Sequence, residues 1–286
     1  MSCRQFGRAE SVEERLQSVS LEEIGTKTTT PMSDPYRSFL YDDSEKETAW
    51  RHGGPPIYDG VNQVFEQGRT QVWKDGSLER IVENLVKTWE MELSHKRNVK
   101  DHKTIDASKF TISVNGGPKL TADQCLEVGS YNALLHSSLP GEHENYKSSL
   151  ETFDSSHEIF RSVFPDGFAW EVLAVYSGPP VVAFKYRHWG VVKGSFKGHE
   201  PTGKMAESVG VCVATVDDKL LITKLEVFYD PTEFLAALSK GRKSPSYGEY
   251  KKGIEGCPAM NPEGRIHTLS ISKSDLQLGS NDSAPL

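Results

Sequence analysis

The residues best suited to chemistry in this sequence lie in two apolar runs of its second half. In Val182-Ala183-Phe184-Lys185-Tyr186-Arg187-His188-Trp189, strand alternation puts Phe184, Tyr186 and His188 on one face and Lys185, Arg187 and Trp189 on the other. If the Phe184 face is the concave one, Tyr186 and His188 are two hydrogen-bonding groups in an aromatic pocket. If the faces are reversed, Arg187 is placed to stabilise an oxyanion; otherwise it pairs with an acid outside. Glu226 stands among Leu225, Val227 and Phe228, where partial desolvation would raise its carboxyl toward the range useful for proton transfer. The bland reading of Glu226 is a solvated strand residue. Tyr131 lies on a helix from which its hydroxyl can reach a cavity. Trp89, Trp170 and Trp189, with Phe184, are the aromatic residues from which a core or pocket wall would be built.

Other chemistries find little support. Residues 194–204, Gly-Ser-Phe-Lys-Gly-His-Glu-Pro-Thr-Gly-Lys, are glycine-rich. They join two strands, however, and offer no helix N-terminus to a phosphate. The expected role is a loop at a pocket mouth, with Phe196 touching ligand. His136, Glu142, His143 and Glu144 match no metal-ligand spacing, so no metal is expected. Cys3, Cys125, Cys212 and Cys257 form no C-x-x-C pair, which argues against zinc and a disulfide framework. Neither a G-x-S-x-G nor an H-E-x-x-H motif is present. Asp230, which begins Asp-Pro-Thr-Glu, is explained as a helix cap.

The elements that would position these groups can be read from periodicity. Ser77 caps a helix over 77–95, with Leu78, Ile81, Val82, Leu85, Trp89 and Leu93 as its buried stripe. A short strand over 110–114 ends at Asn115-Gly116-Gly117-Pro118. A second helix begins at the Thr121/Gln124 capping box and turns Cys125, Leu126, Gly129, Ala133 and Leu134 inward. A third runs over 152–164 and stops at Pro165-Asp166-Gly167. Strands follow over 170–176, 181–189, 207–216 and 220–229, then a short helix from Asp230. Helices followed by consecutive antiparallel strands predict an α+β fold with helices packed on one sheet face.

The chain has 286 residues, 36% of them hydrophobic, and a net charge of −7. The aliphatic residues concentrate between polar ends. Residues 1–35 therefore read as a flexible leader, with one short helix over 11–21, and 241–286 as a polar tail around a domain over 36–240. With no basic block, nucleic acid is not an expected partner. No apolar signal core or run of membrane-span length occurs, so no membrane partner is expected, and a reducing cytoplasmic setting fits the scattered cysteines.

Two resemblances add to this reading. Residues 182–230, in the order strand, G-x-F-x-G-x-x-P-T-G-K, strand, Asp217-Asp218-Lys219 turn, strand, resemble the SnoaL-like polyketide cyclases of the NTF2-like superfamily. The blocks Tyr36-Arg37-Ser38-Phe39, Trp50-Arg51-His52-Gly53, Thr88-Trp89-Glu90-Met91-Glu92-Leu93-Ser94-His95-Lys96, Phe184 to Gly190 and Phe196-Lys197-Gly198-His199 are similar to the plant and fungal pathogen-related protein family. The first resemblance implies a cone in which a curved antiparallel sheet and N-terminal helices enclose an apolar pocket, working without cofactor on a polyketide- or terpenoid-derived small molecule. Cyclisation, dehydration, isomerisation or a hetero-Diels–Alder step is the implied reaction. Glu226 falls at that family's acid/base carboxylate, and Val211 or Cys212 where it has a supporting histidine. A homodimer is left open, as is a non-catalytic binding role in stress or defence.

Overall fold

The structure is a computed structural model that describes residues 33–137 and 146–243. The chain divides into Met1–Arg242 and Lys243–Leu286, and the fold is that of the first unit. The expected leader over 1–35 and tail over 241–286 lie outside the described residues, apart from 33–35 and 241–243, as do Glu142, His143 and Glu144.

Six helices and six strands make up the described part: α1 Asp59–Gly68, α2 Leu78–His95, β1 Thr111–Val114, β2 Leu120–Thr121, α3 Ala122–Val128, α4 Ser130–Leu134, α5 Phe153–Val163, β3 Ala169–Val175, β4 Val181–Val191, β5 Met205–Val216, β6 Ile222–Tyr229 and α6 Pro231–Leu238. The strands form one sheet in the order β2-β1-β6-β5-β4-β3. The class is α+β, as helices followed by strands predict. One expectation needs correction: β1 runs parallel to β6, pairing Ile112 with Leu225, so the sheet is mixed. The long connection from β1 through α3, α4, α5 and four strands to β6 is what permits a parallel pair.

The caps formed as their residue types dictate. Ser77 Oγ accepts from the Arg80 amide at 3.3 Å, Thr121 and Gln124 close a capping box, and Thr152 and Ser155 close another. The expected second helix is two, because Gly129 at φ 88° breaks it between α3 and α4. No Cβ fits there without crowding Phe153, whose Cα lies 3.1 Å from where it would stand. On α2, Val82, Trp89 and Leu93 are buried as expected, but Ile81 is 51% exposed. Burial at this end of the helix is centred on Val82 and Glu83, which leaves Ile81 outside it.

Three apolar clusters result. The largest lies between α2 and the inner sheet face and includes Trp89, Trp170, Val172, Phe184, Tyr186, Cys212, Leu225 and Val227. A second joins α5 and α6 through Phe160, Val163, Phe164, Phe234 and Leu238, with Phe196. The third is on the opposite sheet face, where Tyr36 and Phe65 cover Ala169 and Trp189. Its helix, α1, lies in a stretch that sequence periodicity reads only as a wrapped segment. Edge strand β3 is interrupted by a bulge between Val172 and Ala174. There the Val172 amide donates to Glu83 Oε2 at 3.2 Å, and its carbonyl accepts from Trp73 Nε1 at 2.9 Å. Side chains thus occupy backbone groups that an exposed edge would offer to another chain.

Candidate functional site

Strand β4 delivers Phe184, Tyr186 and His188 to the inner face and Arg187 and Trp189 to the outer one, which resolves the alternative that alternation leaves open. On the inner face α2 crosses β4 so that Glu90 meets His188, with Nε2 3.6 Å from Glu90 Oε1. The imidazole lies against the Phe168 ring, centroids 3.9 Å apart, and its Nδ1 is buried with no hydrogen-bond partner among the described residues. His188 therefore addresses Glu90 through one nitrogen and the protein interior through the other.

Glu90 is the group open to a ligand. Its side chain keeps 40% of its accessible area, yet desolvation is the largest influence on its carboxyl. Residual accessible area on a carboxyl so strongly desolvated is what a group in a recess, not on the outer surface, shows. Burial alone would raise its pKa; the contact with His188 and the charges of His188, Arg37 and Lys87 outweigh this and hold it below the ordinary carboxylate value. It is a carboxylate at neutral pH.

Three polar groups lie within electrostatic reach of it. Tyr131 on α4 stacks on Phe160 at 4.3 Å and meets the His157 ring edge at 5.1 Å. Tyr58, at the start of α1, brings its hydroxyl within 3.3 Å of His95 Nδ1. Both phenols are pushed up, first by burial and in part by the Glu90 charge. The His95 imidazole is pushed down to about 4 by burial and is neutral at pH 7. All three side chains are half-buried, as groups facing a hollow are. The arrangement supplies one carboxylate for proton transfer and two hydroxyls as donors.

The sequence-predicted residues divide accordingly. His188 meets Glu90, and Tyr131 lies within reach of its charge. Trp89, Trp170, Phe184 and Tyr186 sit in the large inner cluster. The Tyr186 ring stacks on Trp170 at 5.9 Å and its hydroxyl presses on β5, where a Cβ at Gly210 would come within 2.5 Å of it. It packs as core. Three expectations, those for Glu226, Trp189 and Phe196, are corrected, and Arg187 takes the outward-facing one of its two readings. Glu226 faces away from Leu225 and Val227, alternates with them on β6, and pairs with Lys224 at 2.7 Å, so it does not meet His188. Arg187 is on the outer face in an ion pair with Glu171 at 2.9 Å, the pairing that the outward-facing alternative predicts. Trp189 packs with Tyr36 and Phe65 in the outer cluster, not on a pocket wall. Phe196 is 1% exposed among Phe160 and Val192, because its loop folds back as a tight turn bonded between Phe196 and His199; it is not at a mouth. At the two positions where the resemblance puts a supporting histidine, Cys212 is a buried thiol that burial pushes up, and Val211 faces outward.

Sequence reasoning missed Glu90, Tyr58 and His95. Glu90 carried a signal: it follows Val82 and Val86 at four-residue spacing, a carboxylate in line with the buried stripe. Tyr58 had none, since only the fold brings the segment before α1 over α2. A separate surface groove of about 490 Å³ is lined by Ile105, Asp106, Lys109, Asp217, Lys219 and Leu221. In it Asp106 pairs with the largely exposed Lys109 at 2.8 Å. Among the described residues no cluster of His, Cys, Asp and Glu could hold a metal ion, and no helix is long and apolar enough to cross a membrane.

No protein-family model matches the chain. It is 45% identical over 229 residues to a pathogen-related protein of Hordeum vulgare, spanning 79% of this chain and 95% of that one. Similar solved structures include a candidate SnoaL-like polyketide cyclase from Jannaschia sp. CCS1, 16% identical, covering 60% of this chain and 99% of that one at a TM-score of 0.36. IdmH, a candidate polyketide cyclase from Streptomyces antibioticus, is 15% identical, with 54% and 96% covered and a TM-score of 0.35. A protein of ketosteroid isomerase-like fold from Catenulispora acidiphila is 11% identical, with 55% and 93% covered and a TM-score of 0.33.

Proposed function

Because the chain belongs to the pathogen-related protein family, we propose that this family includes a cofactor-independent enzyme for which Glu90 is the acid/base. The observation that carries this reading is the desolvated Glu90 carboxylate held 3.6 Å from His188, whose ring lies against Phe168. An apolar carbonyl compound, of polyketide or terpenoid type, would enter with its carbonyl oxygen toward the Tyr131 hydroxyl. Glu90 would take a proton from the carbon beside that carbonyl. The electron pair left behind delocalises onto the oxygen, where the hydroxyl stabilises the charge. The proton returns from Glu90 to a second carbon in an isomerisation, or to a departing hydroxyl in a dehydration. Attack of the enolate carbon on a second carbonyl gives cyclisation. His188 positions the carboxylate.

The test needs no cognate substrate. In heavy water the protein should exchange deuterium into the α-carbon of apolar aryl ketones. Glu90→Gln should slow exchange at least about 100-fold with little change in ketone affinity, while Glu226→Gln should leave it unchanged. Exchange that survives Glu90→Gln removes the assignment.

A binding role without turnover is the second reading. It is favoured by the lowered Glu90 carboxyl, which makes a weak base, and by the absence of an accessible second nitrogen on His188. Tight ketone binding by the unaltered protein with no deuterium incorporation would establish it over the first.

A further inference from the structure

The Tyr58–His95 contact has a definite hydrogen arrangement. A neutral imidazole carries one N–H and one bare acceptor nitrogen. His95 Nδ1 lies 3.2 Å from the Met91 carbonyl oxygen, one turn back along α2, and a carbonyl can only accept. Nδ1 must therefore hold the hydrogen; the other tautomer would set two lone pairs against each other. Tyr58 Oη is 3.3 Å from the same Nδ1, so it can only share that hydrogen as a second acceptor. The phenolic hydrogen itself is left over, and no acceptor for it occurs among the described residues.

The ring that carries this hydroxyl is fixed. The Arg37 guanidinium lies face-on to Tyr58, 3.5 Å from the centroid. Arg37 is itself anchored by Asn62 Oδ1 at 2.8 Å and by the Asp34 carboxylate at 3.3 Å. A cation over the ring draws electron density from the phenol and strengthens it as a donor. Tyr58 is half-buried and meets His95, about one and a half turns along α2 from Glu90, with Glu90 and Tyr131 close enough to act upon it.

We propose that Tyr58 is a ligand-facing hydrogen-bond donor, aimed into the Glu90 hollow by the His95 tautomer and the Arg37 stack, and that it selects ligands bearing a carbonyl oxygen. This rests on the reading of Glu90 as the wall of a ligand site, though not on Glu90 performing proton transfer. It gives the segment that precedes α1, outside the strand-and-loop resemblance over residues 182–230, a direct part in recognition. Tyr131 and Tyr58 then offer two donors to one ligand, while Glu90 offers the acceptor.

Two measurements on the full chain test it. Nitrogen-15 spectra of histidine-labelled protein, with His95 assigned through His95→Gln, should show a protonated Nδ1 and a bare Nε2. The reverse tautomer means that Tyr58 donates to Nδ1, and the proposal is overturned. Carbonyl-labelled acetophenone, small enough for a modest hollow, should show a downfield carbon-13 displacement on binding. Tyr58→Phe, which keeps the ring under Arg37, should abolish that displacement and weaken binding about tenfold. Unchanged affinity and shift in Tyr58→Phe refute the donor role whatever Glu90→Gln does to deuterium exchange. Failure of acetophenone to bind the unaltered protein at millimolar concentration refutes it as well. Loss of exchange in Glu90→Gln with an unaltered Tyr58→Phe carbonyl shift would leave the acid/base reading standing alone.

Discussion

At the residue scale, this molecule places charges where apolar contacts would serve stability better, and each is held by a partner from a distant segment. Lys96, at the end of α2, is fully buried; its Nζ donates to Glu45 at 2.8 Å, to Glu92 at 3.0 Å and to the Asp101 carbonyl at 2.8 Å. Glu92 in turn accepts from the Lys103 amide and from the Thr104 amide and hydroxyl. Removing the cation would leave Glu92 with amide and hydroxyl donors but no counter-charge, and Glu45 with Lys103 at 2.6 Å as its remaining one, and that uncompensated burial is the dominant cost. Lys96→Met should therefore lower unfolding stability by about 3 kcal/mol in urea titrations. A double variant, Lys96→Met with Glu45→Gln, should recover part of this loss, because one of the two buried carboxylates disappears. If the single variant costs under about 1 kcal/mol, water reaches this cluster and it does not anchor the segment before α1.

At the element scale, the sheet depends on close approaches that only glycine permits. Gly210 on β5 lies beneath Tyr186 of the neighbouring strand, and an added Cβ would fall 2.5 Å from the hydroxyl and 2.6 Å from Cζ. Neither strand can retreat without disturbing the β4–β5 ladder that pairs these residues. Gly210→Ala should cost about 1–3 kcal/mol, and Gly210→Ala with Tyr186→Phe less, as measured by the shift in denaturant midpoint. Near-additive single and double values would mean that the ring is free to swing aside. The same elements show what periodicity can and cannot reveal. The capping box at Thr121, the proline start of α6 and the four alternating strands were legible because each is a local rule. The break at Gly129 was not, since a glycine inside a helical pattern looks the same whether or not Phe153 stands behind it. The β1–β6 pair was illegible because its partners are more than a hundred residues apart. The site was half legible: alternation put His188 and Tyr186 on one face, but which carboxylate meets that face depends on how α2 crosses the sheet. Glu226 alternates with inward residues and so points away, whereas Glu90 points in.

At the scale of the whole molecule, folding removes three histidines from water, and this couples the assembled fold to pH. His95 on α2, His102 beyond it and His157 on α5 all have imidazoles pushed down, in each case chiefly by burial. Near each of them lie acids that pull the other way, Glu90 for His95, Glu92 and Asp101 for His102 and Asp154 for His157, and these do not reverse the direction. The unfolded chain takes up protons on these groups near pH 6.5, while the folded chain resists doing so. Their contribution is thus complete above about pH 6.5 and is lost as pH falls, for His95 until its folded value of about 4. Glu45 and Glu90 are held low, so their share is lost only below the ordinary carboxylate range, leaving pH 6.5 to 5 as a window governed by histidine. Over that window His95 alone accounts for up to about 2 kcal/mol, a large part of a marginal total. Urea titrations at pH 7 and pH 5 should show a loss of stability in the unaltered protein that His95→Gln reduces by about 1–2 kcal/mol. The substitution also removes the tautomer that directs Tyr58, so ketone affinity at pH 7 should fall in the same variant. Equal pH sensitivity with and without His95 would mean that its ring is already hydrated in the folded state, and the hollow between α1, α2 and β4 would then be an open cleft, too wet to strengthen the Glu90 charge or the tyrosine donors.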